Sequence, residues 1–335
     1  MRGFAAAFLL ALAVLCCTQQ AKAGRLEQIR ARGYLDCGAY SGVAGFAIVK
    51  DGRYSGFDTD ICRAVAAAIF GTPDKIKFTE VASVDTFRKT PALDMVVRRL
   101  TWTLSRESPL GLMFGPIVYY DEQGFLVPKS AGVTSARQLA GKRICVDQGE
   151  GWDGNLRRYS EASRLDLKSI LVPSRAAGEE RFFGGGCDAY SADKTMLGAI
   201  RADAPQPHDF AILPEQISKE PLAPLVRQGD DRFFEVVRWT IFALIEAEEL
   251  GITSRNIDEK RTSTDPDTNS LLGVTPGNGK ALGLGEHWAA DAIAAVGNYG
   301  ELFDRNVGSA SPIELERGLN RLWMDGGLMY APPLR

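Results

Sequence analysis

The chain has 335 residues, of which 24% are charged and 45% hydrophobic, and its formal net charge is −3. A slightly acidic chain without a basic stripe argues against binding to nucleic acid or to an anionic membrane surface. The length exceeds what one hydrophobic core usually supports, which predicts two lobes.

The N-terminus has the pattern of a secretory signal peptide. Arg2 precedes an apolar run of 14 residues from Phe4 to Cys17, and the small residues Ala21 and Ala23 follow. The run is shorter than the roughly 20 residues of a membrane-spanning helix, so we expect export and cleavage after Ala23 rather than a retained anchor. Lipid attachment at the cysteines is disfavoured, because bulky apolar residues precede them.

Four cysteines follow the signal segment, namely Cys37, Cys62, Cys145 and Cys187. An even number in an oxidising compartment favours disulfides over free thiols. We expect Cys37 to pair with Cys62 and Cys145 with Cys187, because each pair then lies inside one predicted lobe, although the sequence alone permits other pairings. The chain has no CxxC pair and only two histidines, so no metal site or cofactor is expected.

Short apolar strands alternate with helical patterns along most of the chain, which predicts an α/β fold with mostly parallel sheets. The predicted strands are Tyr34–Gly38, Lys75–Val81, Asp94–Val97, Arg143–Val146, Cys187–Tyr190 and Phe210–Leu213, and Gln123–Pro128 is predicted as a longer, extended crossing segment. The predicted helices between them are Gly56–Phe70, with Asp58 or Asp60 as its cap, Ser135–Ala140 and Gly151–Glu161.

The last third of the chain has a different character. Asp230–Leu250 has apolar residues at helical spacing and predicts a long helix, and Trp288–Arg305 and Ile313–Met324 predict two more. Asp265–Leu284 is rich in Gly, Pro, Asn and Thr, which predicts a loop. We expect these helices to pack back on the first lobe, since they bring no strands of their own.

A candidate binding segment directly follows the predicted strand Asp94–Val97. It reads TWTLSR from Thr101 to Arg106, and in open α/β sheets ligands bind beyond the carboxyl ends of the strands. The planar guanidinium of Arg106 suits a carboxylate, and the Thr101 hydroxyl can complete the site. A surface arginine after a turn is the alternative interpretation.

Asp193 has the corresponding position in the second half, after the strand Cys187–Tyr190. An acid there can receive an ammonium group, or it can simply cap the following helix. Phe46, in the glycine-rich segment after the first strand, and Trp102 can line a pocket between the halves. Ordinary packing is the alternative for both aromatic residues.

Longer segments carry a resemblance over nearly the whole chain after the signal segment. They read YYDEQGFLV from Tyr119, ISKEPLAPLVRQGDDRFFEVVRWTIFALIEAEELG from Ile217 and VGNYGELFDRNVG from Val296, besides TWTLSRE from Thr101. With these, the chain resembles the periplasmic general L-amino-acid-binding proteins, the receptors of ABC importers in solute-binding protein family 3. The four cysteines also stand where this subgroup has them.

The resemblance implies a periplasmic, monomeric binding protein of type II that is not an enzyme and that delivers an amino acid to an ABC transporter permease. Two lobes, residues 24–120 plus 218–335 and residues 121–217, would be joined by hinges near Tyr119–Phe125 and Pro214–Leu222. It further implies the ligand contacts: Arg106 and Thr101 for the α-carboxylate, Asp193 for the α-ammonium, and Phe46 and Trp102 for the side chain.

Two departures from the family pattern lie beside this site. Arg99 and Leu100 replace the small polar pair Asn-Thr, and Gly151 replaces a hydroxyl residue while keeping its N–H at a helix N-terminus, a usable anion site. Glu150 places a negative charge near the carboxylate position. Either Glu150 reads a distal cation, or an Arg99–Glu150 pair replaces the lost hydroxyl, or binding is degraded; we expect altered specificity.

Two other functions remain alternatives at this point. Some proteins on this two-lobed scaffold resemble cyclohexadienyl dehydratases. Such an enzyme needs a general acid in the cleft, and Glu150 is the candidate. A periplasmic sensor domain is the other alternative, and such domains normally precede a membrane span. The sequence provides no nucleophile–histidine arrangement to support the enzyme.

Overall fold

Two five-stranded sheets organise the protein, whose computed structural model describes residues 23–148 and 151–334. Most of the expected signal peptide (residues 1–22) and Glu150 lie outside the described residues. The strands in chain order are β1 (Leu35–Ala39), β2 (Ile48–Lys50), β3 (Arg53–Ser55), β4 (Ile76–Glu80), β5 (Met95–Val96), β6 (Leu112–Phe114), β7 (Tyr119–Asp121), β8 (Gln123–Pro128), β9 (Arg143–Asp147), β10 (Lys168–Val172), β11 (Ala189–Asp193), β12 (Phe210–Ile212), β13 (Glu220–Leu222) and β14 (Leu225–Arg227).

The first sheet has the strand order β4-β1-β5-β14-β6, and the second has the order β10-β9-β11-β8-β12. In each sheet the first three strands are parallel, and one strand, β14 or β8, runs antiparallel to its neighbours. That strand is the one through which the chain enters the sheet after crossing from the other lobe. The predicted fold, two-lobed α/β with mostly parallel sheets, is confirmed.

Strands β7 and β13 connect the two sheets and pair antiparallel, with Glu220 opposite Asp121. The side chain of Asn320 extends this pairing on one side. Its Oδ1 accepts a hydrogen bond from the Tyr120 N–H at 2.7 Å, and its Nδ2 donates to the Tyr120 carbonyl at 3.1 Å. The C-terminal segment is therefore hydrogen-bonded to β7, which with β13 forms the predicted hinge.

Helices flank both sheets, and the longest, α8, begins where the Asp230 carboxylate accepts a hydrogen bond from the Phe233 N–H at 3.0 Å. Within the described residues, no helix is long and apolar enough to span a bilayer. The helices are α1 (Arg25–Arg32), α2 (Phe57–Phe70), α3 (Val84–Lys89), α4 (Leu104–Glu107), α5 (Trp152–Ser163), α6 (Arg175–Phe183), α7 (Lys194–Ala202), α8 (Asp231–Glu249), α9 (Ile257–Lys260), α10 (Pro266–Leu271), α11 (Asn278–Leu282), α12 (Trp288–Val296) and α13 (Tyr299–Asn306).

Each sheet has its own hydrophobic core, and each core holds one disulfide. Helices α2, α8, α12 and α13 pack together on the first sheet, as expected for the C-terminal helices. Cys37 is bonded to Cys62 in this core, and Cys145 is bonded to Cys187 in the core of the second sheet. Both predicted pairings are therefore confirmed.

The helix predicted over Trp288–Arg305 is wrong as a single element, because it breaks at Gly297, whose φ is 81°. Asn298 then starts α13 with a reciprocal capping box in which Glu301 is the partner. Similarly, Gly56 rather than Asp58 or Asp60 has the N-cap position of α2. Both aspartates lie in the first turn, where they favour the helix dipole.

The other errors concern the C-terminal third. The loop predicted over Asp265–Leu284 contains α10 and α11, the first of which is capped by Asp265. The helix predicted over Ile313–Met324 is wrong, since only the short 3₁₀ turns Gly318–Asn320 and Trp323–Asp325 form there. Gly318, with φ at 49°, interrupts the helical pattern.

Candidate functional site

A cleft of about 480 Å³ lies between the two lobes, at the carboxyl ends of the parallel strands of both sheets. Strands β1, β4 and β5 end at one wall, and β9, β10 and β11 end at the other, which is where an α/β sheet binds ligands. The first wall is lined by Tyr40, Ser41, Gly42, Val43, Ala82, Arg98, Arg99, Leu100, Thr101 and Arg106. The second is lined by Asp147, Gln148, Trp152, Pro173, Ser174, Arg175, Asp193 and Met196, and Glu220 of the hinge lies between them.

Arg106 and Thr101 lie together on the first wall. Arg106 is in the single turn of α4, and its Nη1 donates a hydrogen bond to the Thr101 carbonyl at 3.0 Å. The Thr101 hydroxyl donates to Glu220 at 2.7 Å, so its proton is directed to the hinge. Of these two residues, Arg106 rather than Thr101 therefore has side-chain donors available for a carboxylate.

Asp193 ends β11 on the opposite wall. Its Oδ1 accepts a hydrogen bond from the Trp152 indole N–H at 2.9 Å, and it makes no capping hydrogen bond to α7. Burial raises the pKa of Asp193 well above its usual value, the nearby charge of Asp121 raises it further, and Arg99 opposes the rise. A carboxylate desolvated in this way is stabilised by a cation that enters the cleft.

Arg99 of the first wall reaches across to the second lobe. Its backbone is left-handed, with φ at 51°, a conformation that costs about 1–3 kcal/mol in a residue other than glycine. Its Nη1 donates to the Thr195 hydroxyl at 3.1 Å, and its guanidinium lies 5.5 Å above the ring of Phe46. The proposed partner of Arg99, Glu150, lies outside the described residues.

Arg99 also compensates two buried acids. Asp58 is buried beneath it, and burial raises the pKa of Asp58 to about 7 although Arg99 and Arg98 lower it. Burial likewise raises the pKa of Asp121 to about 6, against the hydrogen bond from Thr195 and the charge of Arg99. Arg99 therefore acts as a counter-ion inside the protein.

The two predicted aromatic contacts lie elsewhere than on the cleft surface. Phe46 is buried and packs on Phe57 and Tyr119, with ring centroids 5.7 and 5.4 Å away. Trp102 stacks on Phe114 at 5.9 Å and donates its indole N–H to a carboxylate at 2.8 Å. Phe46 lies beneath the lining residue Arg99, and neither Phe46 nor Trp102 is itself among the lining residues.

Gly151 has the N-cap position of α5, next to the lining residue Trp152. Its φ is 82°, and a side chain there would meet no neighbouring atom within 4 Å. The left-handed backbone rather than lack of space therefore favours glycine at this position. A threonine at this position would provide a hydroxyl, but it would adopt this left-handed backbone only under strain.

Several lining residues were not identified from the sequence. Tyr40 directly follows β1, and Arg98 lies two residues after the end of β5, so the strand-end rule that identified Arg106 could have found them as well. Glu220 lies on a hinge strand, and Arg175 begins a helix after β10, a strand that the sequence analysis did not identify. The described residues contain no cluster of three or more potential metal ligands.

Comparison with known proteins identifies the family of the chain. The family model for bacterial extracellular solute-binding proteins, family 3, matches residues 35–256. The general L-amino acid-binding periplasmic protein AapJ of Rhizobium johnstonii is 43% identical over 320 residues, which are 94% of each chain. The glutamate/glutamine/aspartate/asparagine-binding protein BztA of Rhodobacter capsulatus is 44% identical over 319 residues, again 94% of each chain.

A solved structure shares both the sequence and the fold. It is an ABC transporter / periplasmic binding protein from Brucella ovis with glutathione bound, and it is 43% identical with a TM-score of 0.85. The match covers 94% of this chain and 100% of that one. The chain belongs to the bacterial extracellular solute-binding proteins, family 3.

Proposed function

We propose that this protein captures an amino acid or a related small molecule in the periplasm and delivers it to the permease of an ABC importer. The observation that carries the proposal is the cleft itself, in which Arg106 of one lobe and Asp193 of the other provide opposite charges. A zwitterion that contacts both would favour the closed form over the open form, and a permease can recognise that difference.

The ligand contacts follow from the same arrangement. Arg106, held by the Thr101 carbonyl, binds the α-carboxylate together with the Gly151 N–H, and Asp193 binds the α-ammonium. Arg99 holds Thr195 and balances the charge of Asp193, and it is not itself a main contact of the ligand. Phe46 supports Arg99 from below. Trp102 fixes the position of the segment that carries Arg106, because its ring stacks on Phe114.

The organisation and location of the chain are part of the proposal. Cleavage after Ala23 releases a monomer into the periplasm. Its lobes comprise residues 24–120 plus 218–335 and residues 121–217. The relatives support a transport role, because the names of two of them specify amino-acid binding and a third contains glutathione, an amino-acid derivative.

The test is thermal unfolding of the purified protein with each of the twenty amino acids and with glutathione. A true ligand at 100 times its Kd adds about 2.7 kcal/mol to the stability and raises Tm accordingly. We expect a clear rise for a subset of these compounds. No rise with any of them, together with consumption of prephenate or arogenate, would instead indicate an enzyme on this scaffold.

A further inference from the structure

Three arginines, Arg98, Arg99 and Arg106, line the first wall of the cleft. None of them forms an ion pair with a carboxylate in the part of the chain that the structure describes. By contrast, Arg175 on the opposite wall is paired with Glu179 and Asp203. The excess positive charge of the cleft therefore belongs to one wall.

Arg99 does not contribute to this excess in the same way. It donates to Thr195 and lies close enough to Asp58, Asp121 and Asp193 to lower the pKa of each. Its charge is thereby used within the protein. Arg98 also lowers the pKa of Asp58, but Arg98 and Arg106 both line the cleft and make no side-chain hydrogen bond to the second lobe among the described residues.

The Arg98 side chain lines the cleft, is held by the ring of Tyr40 and is partly shielded from solvent. Its guanidinium lies 5.0 Å above the ring of Tyr40, and its Nε is buried without a hydrogen-bond partner among the described residues. Burial lowers the pKa of Arg98, Tyr40 and Asp58 oppose this effect, and the charges of Arg99 and Arg106 add to it. A desolvated cation facing two like charges is stabilised most by an anion, and its planar fork matches a carboxylate.

Arg98 and Arg106 approach the cleft from separate supports. Arg98 lies two residues after the end of β5 and stacks on Tyr40, whereas Arg106 is carried by α4 and anchored to the Thr101 carbonyl. A cleft of about 480 Å³ lies in the range that accommodates ligands larger than a single small amino acid. Two anionic groups on one ligand can therefore be received separately.

We propose that Arg98, stacked on Tyr40, forms a second anion subsite, so that the preferred ligand has two carboxylates, one on Arg106 and one on Arg98. The inference rests on the proposed function and specifies its ligand class. Acidic amino acids and peptide-like compounds with a distal carboxylate belong to this class. Ligands whose distal group is neutral bind more weakly.

The experiment is isothermal titration calorimetry with two pairs of ligands that differ by one negative charge. The pairs are glutamate with glutamine, and glutathione with its glycyl monoethyl ester. For at least one pair, we expect the acidic member to bind roughly 10–100-fold more tightly to the wild-type protein. The variant Arg98→Gln removes most of this preference, and Arg98→Lys retains part of it.

Arg255→Gln, at an exposed arginine of the same lobe away from the cleft, serves as the matched control and leaves the preference unchanged. Equal binding within both pairs by the wild-type protein would overturn the second subsite while leaving the proposed function intact. An equal loss for acidic and neutral ligands in Arg98→Gln would also overturn it, because both arginines would then serve one carboxylate. Absence of binding by all four ligands and all amino acids contradicts both proposals.

Discussion

The Arg99 guanidinium of the first lobe donates a hydrogen bond to the Thr195 hydroxyl of the second lobe, with 3.1 Å between Nη1 and Oγ1. Thr195 in turn donates from its hydroxyl to Asp121 on the hinge strand β7. A single residue of the cleft wall is therefore coupled both to the opposite lobe and to the strand between them.

Removal of Arg99 should destabilise the protein most at alkaline pH. The pKa of Asp58 is raised to about 7 and that of Asp121 to about 6, so the stability they contribute is complete below about pH 4 and declines as pH rises through 6–7. Without Arg99 the ionised acids lose their counter-ion. We expect Arg99→Ala to cost about 2–3 kcal/mol at pH 8 and clearly less at pH 5.

Urea unfolding at the two pH values measures this difference. Arg137→Ala, at an exposed arginine of the second lobe, is the control and should change stability equally little at both. A loss of equal size at pH 5 and pH 8 in Arg99→Ala would show that the contact with Thr195, rather than the charge, is what matters.

Replacement of Arg106 should weaken ligand binding without unfolding the protein. Its guanidinium is exposed, and its one hydrogen bond to protein from the side chain goes to the Thr101 carbonyl. Loss of charge-assisted hydrogen bonds to a carboxylate costs about 1.5–3 kcal/mol, or roughly 10–100-fold in Kd. Calorimetry on Arg106→Ala tests this, and an unchanged Kd would remove Arg106 from the site.

Asp193→Asn should separate binding from stability. Asparagine keeps an oxygen for the Trp152 indole N–H but removes the charge that an ammonium group needs. Since burial raises the pKa of Asp193, its ionised form opposes folding at neutral pH, and the variant should be more stable than the wild type at pH 8. The ligand should bind at least about tenfold more weakly.

Thermal unfolding with and without ligand measures both effects on one sample. Without ligand the variant should have the higher Tm, and with ligand the wild type should show the larger rise in Tm. A variant that retains the full ligand-induced rise in Tm would assign the ammonium to another acid of the cleft.

The sequence predicted the architecture well where local patterns decide it. Alternating strands and helices identified both sheets, and Gln123–Pro128, predicted as an extended crossing segment, has the predicted bounds as strand β8 of the second sheet. The strand-end rule placed Arg106, Thr101 and Asp193 at one cleft, because parallel strands end at the same edge of each sheet. These inferences depend on chain order and backbone direction alone.

Side-chain direction was beyond the same reasoning. Trp102 lies in the right segment but stacks on Phe114, a strand β6 residue whose position is set by pairing with β14. Phe46 is buried because Phe57 and Tyr119 surround it from distant parts of the chain. The direction of Arg99 toward Thr195 likewise depends on how the two lobes meet, which no local pattern contains.

Loss of the Asn320 side chain should loosen the hinge. Asn320 is buried and satisfies both the N–H and the carbonyl of Tyr120, as an additional strand would. A fully buried backbone group left without a partner costs about 1–3 kcal/mol, and the two groups of Tyr120 are only partly buried. We expect Asn320→Ala to lower the stability by about 2 kcal/mol and to raise amide hydrogen exchange in β7 and β13 specifically.

Asn269→Ala offers a comparison at an asparagine away from the hinge, in α10, and should leave exchange in β7 and β13 unchanged. A loss of stability in Asn320→Ala with no change in exchange along these two strands would indicate that the C-terminal segment, rather than the hinge, depends on this residue.

Glu246, far along α8, provides a pH-dependent effect independent of the cleft. Its side chain is buried, and burial together with Glu249 and Asp267 raises its pKa to about 7. The stability that it contributes is present below about pH 4 and declines as pH rises through 7, because the folded protein must then hold a desolvated charge.

Glu246→Gln should therefore be more stable than the wild type at pH 8, by about 1–2 kcal/mol once partial solvent screening is considered, and nearly equal to it at pH 5. Chemical unfolding at both pH values gives the comparison, with the exposed Glu259→Gln as the control. Because Glu246 is not among the cleft residues, ligand affinity should not change. If the variant is no more stable than the wild type at pH 8, the buried charge of Glu246 is stabilised by an interaction other than those with Glu249 and Asp267.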